Sequence, residues 1–208
     1  MRAIPLACLL VLLCGGVAAT QRSRDDGKPG RTFAYNENAN LIYSLADAPL
    51  TSKESDQIYR LIDTFNNQDV HNSFTDEQRA EEREAVMSSR VGWIKLAEQG
   101  SPQLAVQGPA SLCCGTGGCR YWIFIRRHGQ LQLILEAFGY ISMRKTSSQG
   151  FLDVVMASPV GMLKAHYAVY RWNGTKYKEV DYYCTETDPD NPDKPPVVAV
   201  TDCAPEPR

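Results

Sequence analysis

Cysteine is the residue type with the most reactive side chain in this sequence, and three cysteines lie together in the loop SLCCGTGGCR. A zinc site is typically built from paired Cys or His at spacings such as C-x2-C, and a thiol-redox site from C-x-x-C at the start of a helix. The loop has neither pattern and lies between two predicted strands. The sequence therefore predicts a disulfide that closes a glycine-rich loop, Cys113–Cys119, with Cys114–Cys119 as the close alternative.

Two further cysteines, Cys184 and Cys203, bracket a proline-rich stretch near the C-terminus. We expect a bridge between them to hold the extended 185–208 tail on the sheet, where VVAV would cover an edge strand. Because five cysteines follow residue 19, one is left over. Under this pairing the leftover cysteine is Cys114, either as a free thiol or as a link between two chains.

The residues typical of catalysis are few. The chain has three histidines, His71, His128 and His166, and none belongs to a recognisable catalytic motif. No glycine-rich phosphate loop precedes a helix, and no calcium- or zinc-like spacing is present, so we expect no cofactor and no metal. A hydrolase that uses acids from different strands, Glu136, Asp153 and Asp181, is kept as an alternative function.

Aromatic residues offer a different kind of chemistry, namely stacking on a ligand. Tyr121, Tyr170 and Trp172 belong to a cluster of rings in two predicted hairpins and are the candidate binding aromatics. The alternative for the cluster is a sheet core, since apolar residues occupy both faces of YWIFI. Trp172, beside Asn173-Gly174, is the ring that the turn would expose.

The ends of the chain indicate its compartment. Residues 1–19 have a positive Arg2, an apolar core and the small residues Val17-Ala18-Ala19, which together predict a signal peptide. No later window is apolar enough for a membrane span. The net charge of −2 becomes about −3 without Arg2, which does not favour nucleic-acid binding. We expect an exported protein, periplasmic or extracellular, whose cysteines are used mainly in disulfides.

Between these ends, the spacing of the hydrophobic residues changes from helix-like to strand-like near residue 90. Residues 20–50 lack a sustained period and are expected to form a leader or irregular arm. Residues 51–88 predict helices: Thr51 and Glu54 form a capping box before the stripe Ile58, Leu61, Ile62 and Phe65, and a second helix begins near Thr75. Residues 91–184 read as strands separated by turns. Residues 51–184 are thus predicted to be a single domain.

The strand region contains an internal repeat. WIFIRRHGQLQLILE and YAVYRWNGTKYKEVD align with their glycines and hairpin joints at an offset of 45 residues. His128-Gly129 and Asn173-Gly174 are the joints, and Asn-Gly is a strong signal for a two-residue hairpin turn. A period of this length favours a propeller-blade type of unit over a helical solenoid.

On the segments L-A-V-Q-G, C-x5-C, W-I-F, D-V-V and Y-R-W-N-G-x-x-Y, the chain resembles uncharacterised secreted bacterial proteins with degenerate FG-GAP-like repeats. The resemblance covers roughly residues 91–183 and implies a blade-like β-meander fold. It implies a calcium loop before the second strand as well, but the matching stretch LAEQGSPQL has Glu98 as its only acid, which argues against that metal. The group implies no activity.

The predicted fold is therefore α+β, with N-terminal helices packed on an antiparallel sheet of two blade-like β-meander repeats. The predicted function is that of an exported, non-catalytic binding module for a protein or a cell-wall glycan. The alternatives are a secreted hydrolase, or an inhibitor of a secreted hydrolase that would act through a protruding Cys113–Cys119 loop.

Overall fold

The computed structural model describes residues 40–66, 75–160, 163–187 and 197–199. Within them, helices and strands follow one another along the chain as β1 (Asn40–Ser44), α1 (Ser52–Asn66), α2 (Asp76–Met87), β2 (Arg90–Ile94), β3 (Gln103–Gln107), α3 (Ala110–Cys113), β4 (Cys114–Gly115), β5 (Gly118–Arg127), β6 (Gln130–Ser148), β7 (Phe151–Val160), β8 (Lys164–Trp172), β9 (Tyr177–Glu186) and β10 (Val197–Ala199).

All the described strands belong to one sheet, and every pairing is antiparallel. The strand order is β1-β2-β3-β5-β6-β7-β8-β9-β10, with the two-residue β4 paired to β5 beside this path. Just over half of the structure is strand and less than a quarter is helix. The described part of the chain is therefore mostly antiparallel β, and the α+β prediction is wrong.

The helices are not N-terminal, which also corrects the prediction. The first described element is β1, in the stretch that was expected to be an irregular arm, and α1 and α2 lie between β1 and β2. Strand β1 pairs with β2 from Asn40↔Trp93 to Ser44↔Arg90. It is held there by burial, because Leu41 and Leu45 are only 6% and 1% exposed.

The predicted division of the sheet into two blade-like repeats is wrong for a related reason. Strand β6 has 19 residues. It pairs with β5 up to Gly139 and with β7 from Tyr140 onward. The sheet is therefore continuous through both segments that were aligned as repeats.

Both helix starts follow the predicted capping pattern. The Thr51 hydroxyl accepts from the Glu54 backbone N–H at 3.3 Å, and the Glu54 carboxylate accepts from the Thr51 N–H at 3.0 Å. Thr75 and Gln78 make the same reciprocal pair at the start of α2. The helical prediction for these segments is confirmed. In α1, Ile58 and Ile62 of the apolar stripe pack on the sheet and are 0% exposed.

Each face of the sheet has its own apolar core. Under the helices, the core is formed by Leu45, Ile58, Ile62, Val86, Val91, Leu104, Val106, Cys113, Trp122, Phe124 and Leu131. The opposite face is covered because the sheet bends on itself: residues of β2 and β3 and of β7 and β9 share one cluster. A backbone hydrogen bond from Leu152 N–H to Leu96 O at 2.8 Å and a bridge between Ala97 and Phe151 connect the segment after β2 to the start of β7.

The turns and the tail agree only in part with their predictions. His128 and Gly129 both have positive φ, 51° and 72°, as a two-residue hairpin turn requires. At Asn173-Gly174 the loop is wider, since Trp172 pairs with Tyr177 and the Asn173 side chain accepts from two later N–H groups. β10 pairs with β9, from Val197↔Glu186 to Ala199↔Cys184, as predicted for VVAV.

Candidate functional site

A cavity of about 380 Å³ lies between α1 and the part of the sheet formed by β5 and β6. This volume falls in the range of small-molecule sites. Its lining is half charged or polar and half apolar, consisting of Arg60, Leu61, Thr64, Phe65, Trp122 and Glu136. The helix therefore forms one wall and the strand pair forms the other.

The helix wall follows from the spacing in α1. Arg60 and Thr64 are four residues apart, as are Leu61 and Phe65, so that each pair lies on the same side of the helix. Arg60 and Thr64 are exposed, whereas Leu61 and Phe65 are half-buried at the border of the core. One side of the helix thus offers an apolar strip next to a polar one.

The sheet wall is centred on Trp122, which is 1% exposed. Its ring meets Phe65 edge-on, with 5.8 Å between centroids. The Cζ3 corner of the indole lies towards Gly108, where an added Cβ would be 3.0 Å from it, so Nε1 lies at the opposite side of the ring. The Nε1–H is buried and has no hydrogen-bond acceptor among the described residues. Such a donor costs about 1–3 kcal/mol when it is left without an acceptor.

Glu136 lies directly opposite Trp122 in the β5–β6 register. Its Oε1 accepts from Arg120 Nη1 at 2.8 Å, and the side chains of Arg120 and Glu136 are 20% and 39% exposed. The Arg120 guanidinium also lies over the Phe65 ring, 4.1 Å from its centroid. The ion pair and the cation–π contact together fix the edge of the cavity, and Oε2 of Glu136 is not used in the ion pair.

Cys113 lies close to this site but is not suited to nucleophilic chemistry. Its Sγ donates to Asn66 Oδ1 at 3.6 Å, and it is a free, buried thiol. Burial raises the pKa of the thiol to about 11, against a smaller opposing effect of Arg120. The thiol therefore stays protonated at neutral pH and acts as a hydrogen-bond donor.

The predicted disulfide Cys113–Cys119 is wrong, and the alternative is the one observed. Cys114 and Cys119 are bonded, with 4.0 Å between their Cα atoms. The reason is the alternation of side chains at the end of α3: Cys113 turns into the core under the helices, whereas Cys114 enters β4 directly opposite Cys119. Cys114 is thus neither free nor a link between chains. Cys184 is also disulfide-bonded, and its predicted partner Cys203 lies outside the described residues.

The aromatics predicted to bind a ligand are instead part of the core on the other face of the sheet. Tyr121 and Trp172 are 8% and 4% exposed, and Tyr170 packs against the same cluster. Trp172 stacks on Phe151 with 4.3 Å between centroids, although its place beside a turn favoured exposure. None of the three lines the cavity.

The three carboxylates considered for hydrolysis are not brought into one cleft. Glu136 lines the cavity, but Asp153 is 1% exposed and is held by Arg171 at 2.9 Å and by Thr146 at 3.0 Å. Asp181 is exposed on β9. Of the three, a ligand in the cavity would meet Glu136 alone.

One side of the cysteine loop lies against the sheet. A Cβ added at Gly118 would be 2.4 Å from the backbone of Gly139, and one added at Gly117 would be 3.1 Å from the Phe138 ring. The inhibitor alternative expected a rigid loop projecting from the surface. The loop tip, Gly115 and Thr116, is exposed, so the inhibitor alternative stays a prediction.

Comparison of the chain with known families, with curated proteins and with solved structures finds no match. The resemblance to FG-GAP-like proteins therefore stays a prediction. None of the described helices has the length and hydropathy needed to cross a bilayer. The same described residues contain no group of three or more side chains arranged to hold a metal ion.

The cavity itself was not predicted from the sequence. Trp122 was assigned to the core, which is correct for its ring. The feature that was missed is that its N–H group needs a hydrogen-bond acceptor. In a strand covered on both faces, the tryptophan N–H needs a hydrogen-bond acceptor, and the Tyr121 hydroxyl of YWIFI belongs to the opposite face of the sheet. Asking which group satisfies that donor would have singled out Trp122.

Proposed function

We propose that this protein is an exported, non-catalytic binding module that binds a cell-wall glycan in the cavity between α1 and the β5–β6 pair. The observation that carries the proposal is the buried Trp122 Nε1–H, which has no acceptor among the described residues and belongs to a ring that lines the cavity. A ligand that brings an oxygen acceptor to this donor would recover the free energy lost by its burial.

The chemistry of the cavity supports binding in preference to catalysis. Its carboxylate, Glu136, is already neutralised by Arg120, and the nearby Cys113 thiol has its pKa raised to about 11. A general base or nucleophile needs a pKa near the working pH and a reacting group within hydrogen-bond reach. These residues instead provide fixed donors, an acceptor and an apolar wall, which are the features of a recognition site.

Two features support export. Residues 1–19 have the composition of a signal peptide, and the Cys114–Cys119 disulfide is of a kind that persists mainly in oxidising compartments. A glycan ligand is consistent with that location, because polysaccharide is abundant at cell surfaces. Export itself is tested by fractionation of cells and by N-terminal sequencing, with a start at residue 20 as the expected result.

The binding proposal is tested by sedimentation with purified peptidoglycan. The full chain is expressed with its own N-terminal segment, recovered as the cell processes it, and compared with Trp122→Phe and Glu136→Gln. The first variant removes the N–H donor but keeps an aromatic ring. We expect it to weaken binding by about fivefold or more, the effect of one buried hydrogen bond.

Trp93→Phe is the matched control, since Trp93 packs edge-on against Tyr43 at 5.7 Å and does not line the cavity. Thermal melting shows whether each variant is folded. If Trp122→Phe does not fold, Glu136→Gln provides the second test at the same cavity, with weaker binding as the expected result. Binding that is unchanged in both folded cavity variants would overturn the proposal, as would absence of binding by the wild-type protein.

A further inference from the structure

We infer that the glycan bound by this protein is a chain of several sugars, which extends from the cavity onto an aromatic platform beside it. The aromatic platform is formed by Phe138 and Tyr140 of β6 together with Pro159 of β7. This inference rests on the proposed function and adds the length of the ligand.

The cavity and the aromatic platform lie on the same face of the sheet. Glu136 lines the cavity, and Phe138 and Tyr140 follow it along β6 at every second residue. Side chains alternate between the two faces along a strand, and both Ala137 and Ile141 pack in the core on the other face. Glu136 and Tyr140 therefore leave the same face, about 13 Å apart along the strand. A ligand that contacts both ends is longer than one sugar ring.

The side chain of Arg120 connects the two surfaces. Arg120 and Phe138 are Cα partners in the β5–β6 register. The guanidinium donates to Glu136 Oε1 at 2.8 Å and lies over the Phe65 ring, 4.1 Å from its centroid. Glu136 and Phe65 both line the cavity. The base of the Arg120 side chain is therefore beside Phe138 and its charged end is at the cavity, so that the aromatic platform begins where the cavity ends.

The rings of the aromatic platform have small neighbours. Phe138 and Tyr140 are 36% and 41% exposed. The Cα partner of Tyr140 is Ala157, whose side chain is a single methyl group. Beside the Phe138 ring is Gly117, where an added Cβ would be 3.1 Å from Cε1 of the ring and 3.7 Å from Pro159 O. These neighbours cover little of the two rings, which keep apolar surface for a ligand.

The composition of the aromatic platform favours a sugar chain. A pyranose ring has C–H groups on its faces and hydroxyl groups around its rim, so that it can stack on an aromatic ring and still hydrogen-bond to water. The platform consists of two aromatic rings and a proline, with no carboxylate, ammonium or guanidinium group. At its border, the charges of Arg120 and Glu136 neutralise each other. An ionic ligand would find no counter-charge on this surface, whereas a chain of sugars can stack along it.

The experiment measures binding against the length of the glycan, by isothermal titration calorimetry on the full chain as the cell processes it. The probes are soluble peptidoglycan fragments, a single disaccharide unit and strands of several units, with affinity expressed per disaccharide unit. We expect the strands to bind about tenfold more tightly, because they bury part of two aromatic rings that the single unit leaves exposed. In the double variant Phe138→Ala, Tyr140→Ala this ratio should fall towards one, while the affinity for the single unit stays at its wild-type value. Ile42→Ala is the matched control, since it removes an apolar side chain that is 63% exposed on β1, and it should not change the ratio.

The outcomes separate this inference from the proposed function. Equal affinity for single units and strands in the wild-type protein would overturn the inference and leave the binding module intact, whereas no binding to peptidoglycan would overturn both. A length ratio that persists in the folded double variant would show that the aromatic platform does not hold the chain. In that case, a later elution of the double variant than of wild type in size-exclusion chromatography would assign the platform to a second copy of the protein. If thermal melting shows that the double variant is unfolded, Tyr140→Ala alone gives the same test, with a partial fall of the ratio as the expected result.

Discussion

Replacing Glu54 tests how α1 is held on the sheet. Its side chain is 9% exposed and accepts from Arg126 Nε at 2.6 Å and from Arg126 Nη2 at 3.3 Å. The same carboxylate accepts from the Thr51 N–H at 3.0 Å in the capping box. Glu54→Gln removes the ion pair and keeps a capping residue, whereas Glu54→Ala removes both.

The expected magnitudes follow from the exposure of the two partners. A fully buried pair would cost about 3–5 kcal/mol to break, but Arg126 is 48% exposed and is screened by water. We therefore expect Glu54→Gln to lower the free energy of unfolding by about 1–2 kcal/mol. Losing the capping box should cost Glu54→Ala about 1 kcal/mol more. For a chain of this size the first change corresponds to a fall in Tm of roughly 2–8 °C.

The pH dependence gives a second readout with a fixed sign. Hydrogen bonding to Arg126 is the main effect that lowers the pKa of Glu54 below 4.5, its ordinary value, against an opposing effect of burial. A lowered carboxyl pKa contributes stability above the unfolded-state pKa, and this stability is lost as the pH falls through the folded-state pKa. The difference between wild type and Glu54→Gln should thus be full at neutral pH and shrink below about pH 4.5.

Chemical denaturation by urea, followed by circular dichroism from pH 3 to pH 7, measures both effects. Glu186→Gln is the control, because the Lys164–Glu186 pair is 3.6 Å long and about half exposed on both sides. That change should cost less than about 0.5 kcal/mol. A Glu54→Gln protein as stable as wild type across this pH range would refute the reasoning.

Two further predictions concern the cysteine loop. The pKa of Cys113 is raised to about 11 and its thiol is buried, so iodoacetamide at neutral pH should not modify it in the native protein. After unfolding, the thiol should be labelled, and mass spectrometry measures both states. Rapid labelling of the native protein would contradict this prediction. Gly118→Ala should lower the free energy of unfolding by about 2 kcal/mol or more, since φ is +118° and the new Cβ would lie 2.4 Å from Gly139. Gly115→Ala, where nothing lies within 4 Å of the new Cβ, is the matched control, and equal losses in a urea melt would show that the contact with Gly139 is not the cause.

The parts of the fold that could be predicted are those fixed by neighbours in sequence. The T-x-x-E box and the stripe behind it define α1, and the positive φ values at His128-Gly129 form the hairpin that the dipeptide indicates. These features depend on residues a few positions apart. Local propensity and periodicity are sufficient to find them.

The parts that were missed depend on partners far along the chain. Strand β1 is placed by pairing with β2, some 50 residues later in the sequence, and by burial of Leu41 and Leu45. No local sequence pattern predicts either of these interactions. Gly139 depends on a distant partner as well: its φ of 133° lets β6 continue in close contact with β7, where an added Cβ would be 2.6 Å from Ala157 O.

The candidate site was missed for a different physical reason. Sequence patterns distinguish buried from exposed positions, and Trp122 is buried. They do not show whether a buried donor finds an acceptor, which depends on the residues that α1 brings across the sheet. The Cys113–Cys119 error is similar, because the spacing allowed either neighbour and the end of α3 decided between them.

Strand β6 also determines how this protein can be divided. Its first part is bonded to β5 and its second part to β7, and buried residues of β2 and β3 share one core with residues of β7 and β9, so a cut within residues 130–148 would leave two fragments that each expose apolar core surface. Such fragments should recombine with each other or with further copies, as in a split reporter. An engineer who wishes to graft either half onto another scaffold would have to cover the apolar surface that the two halves share.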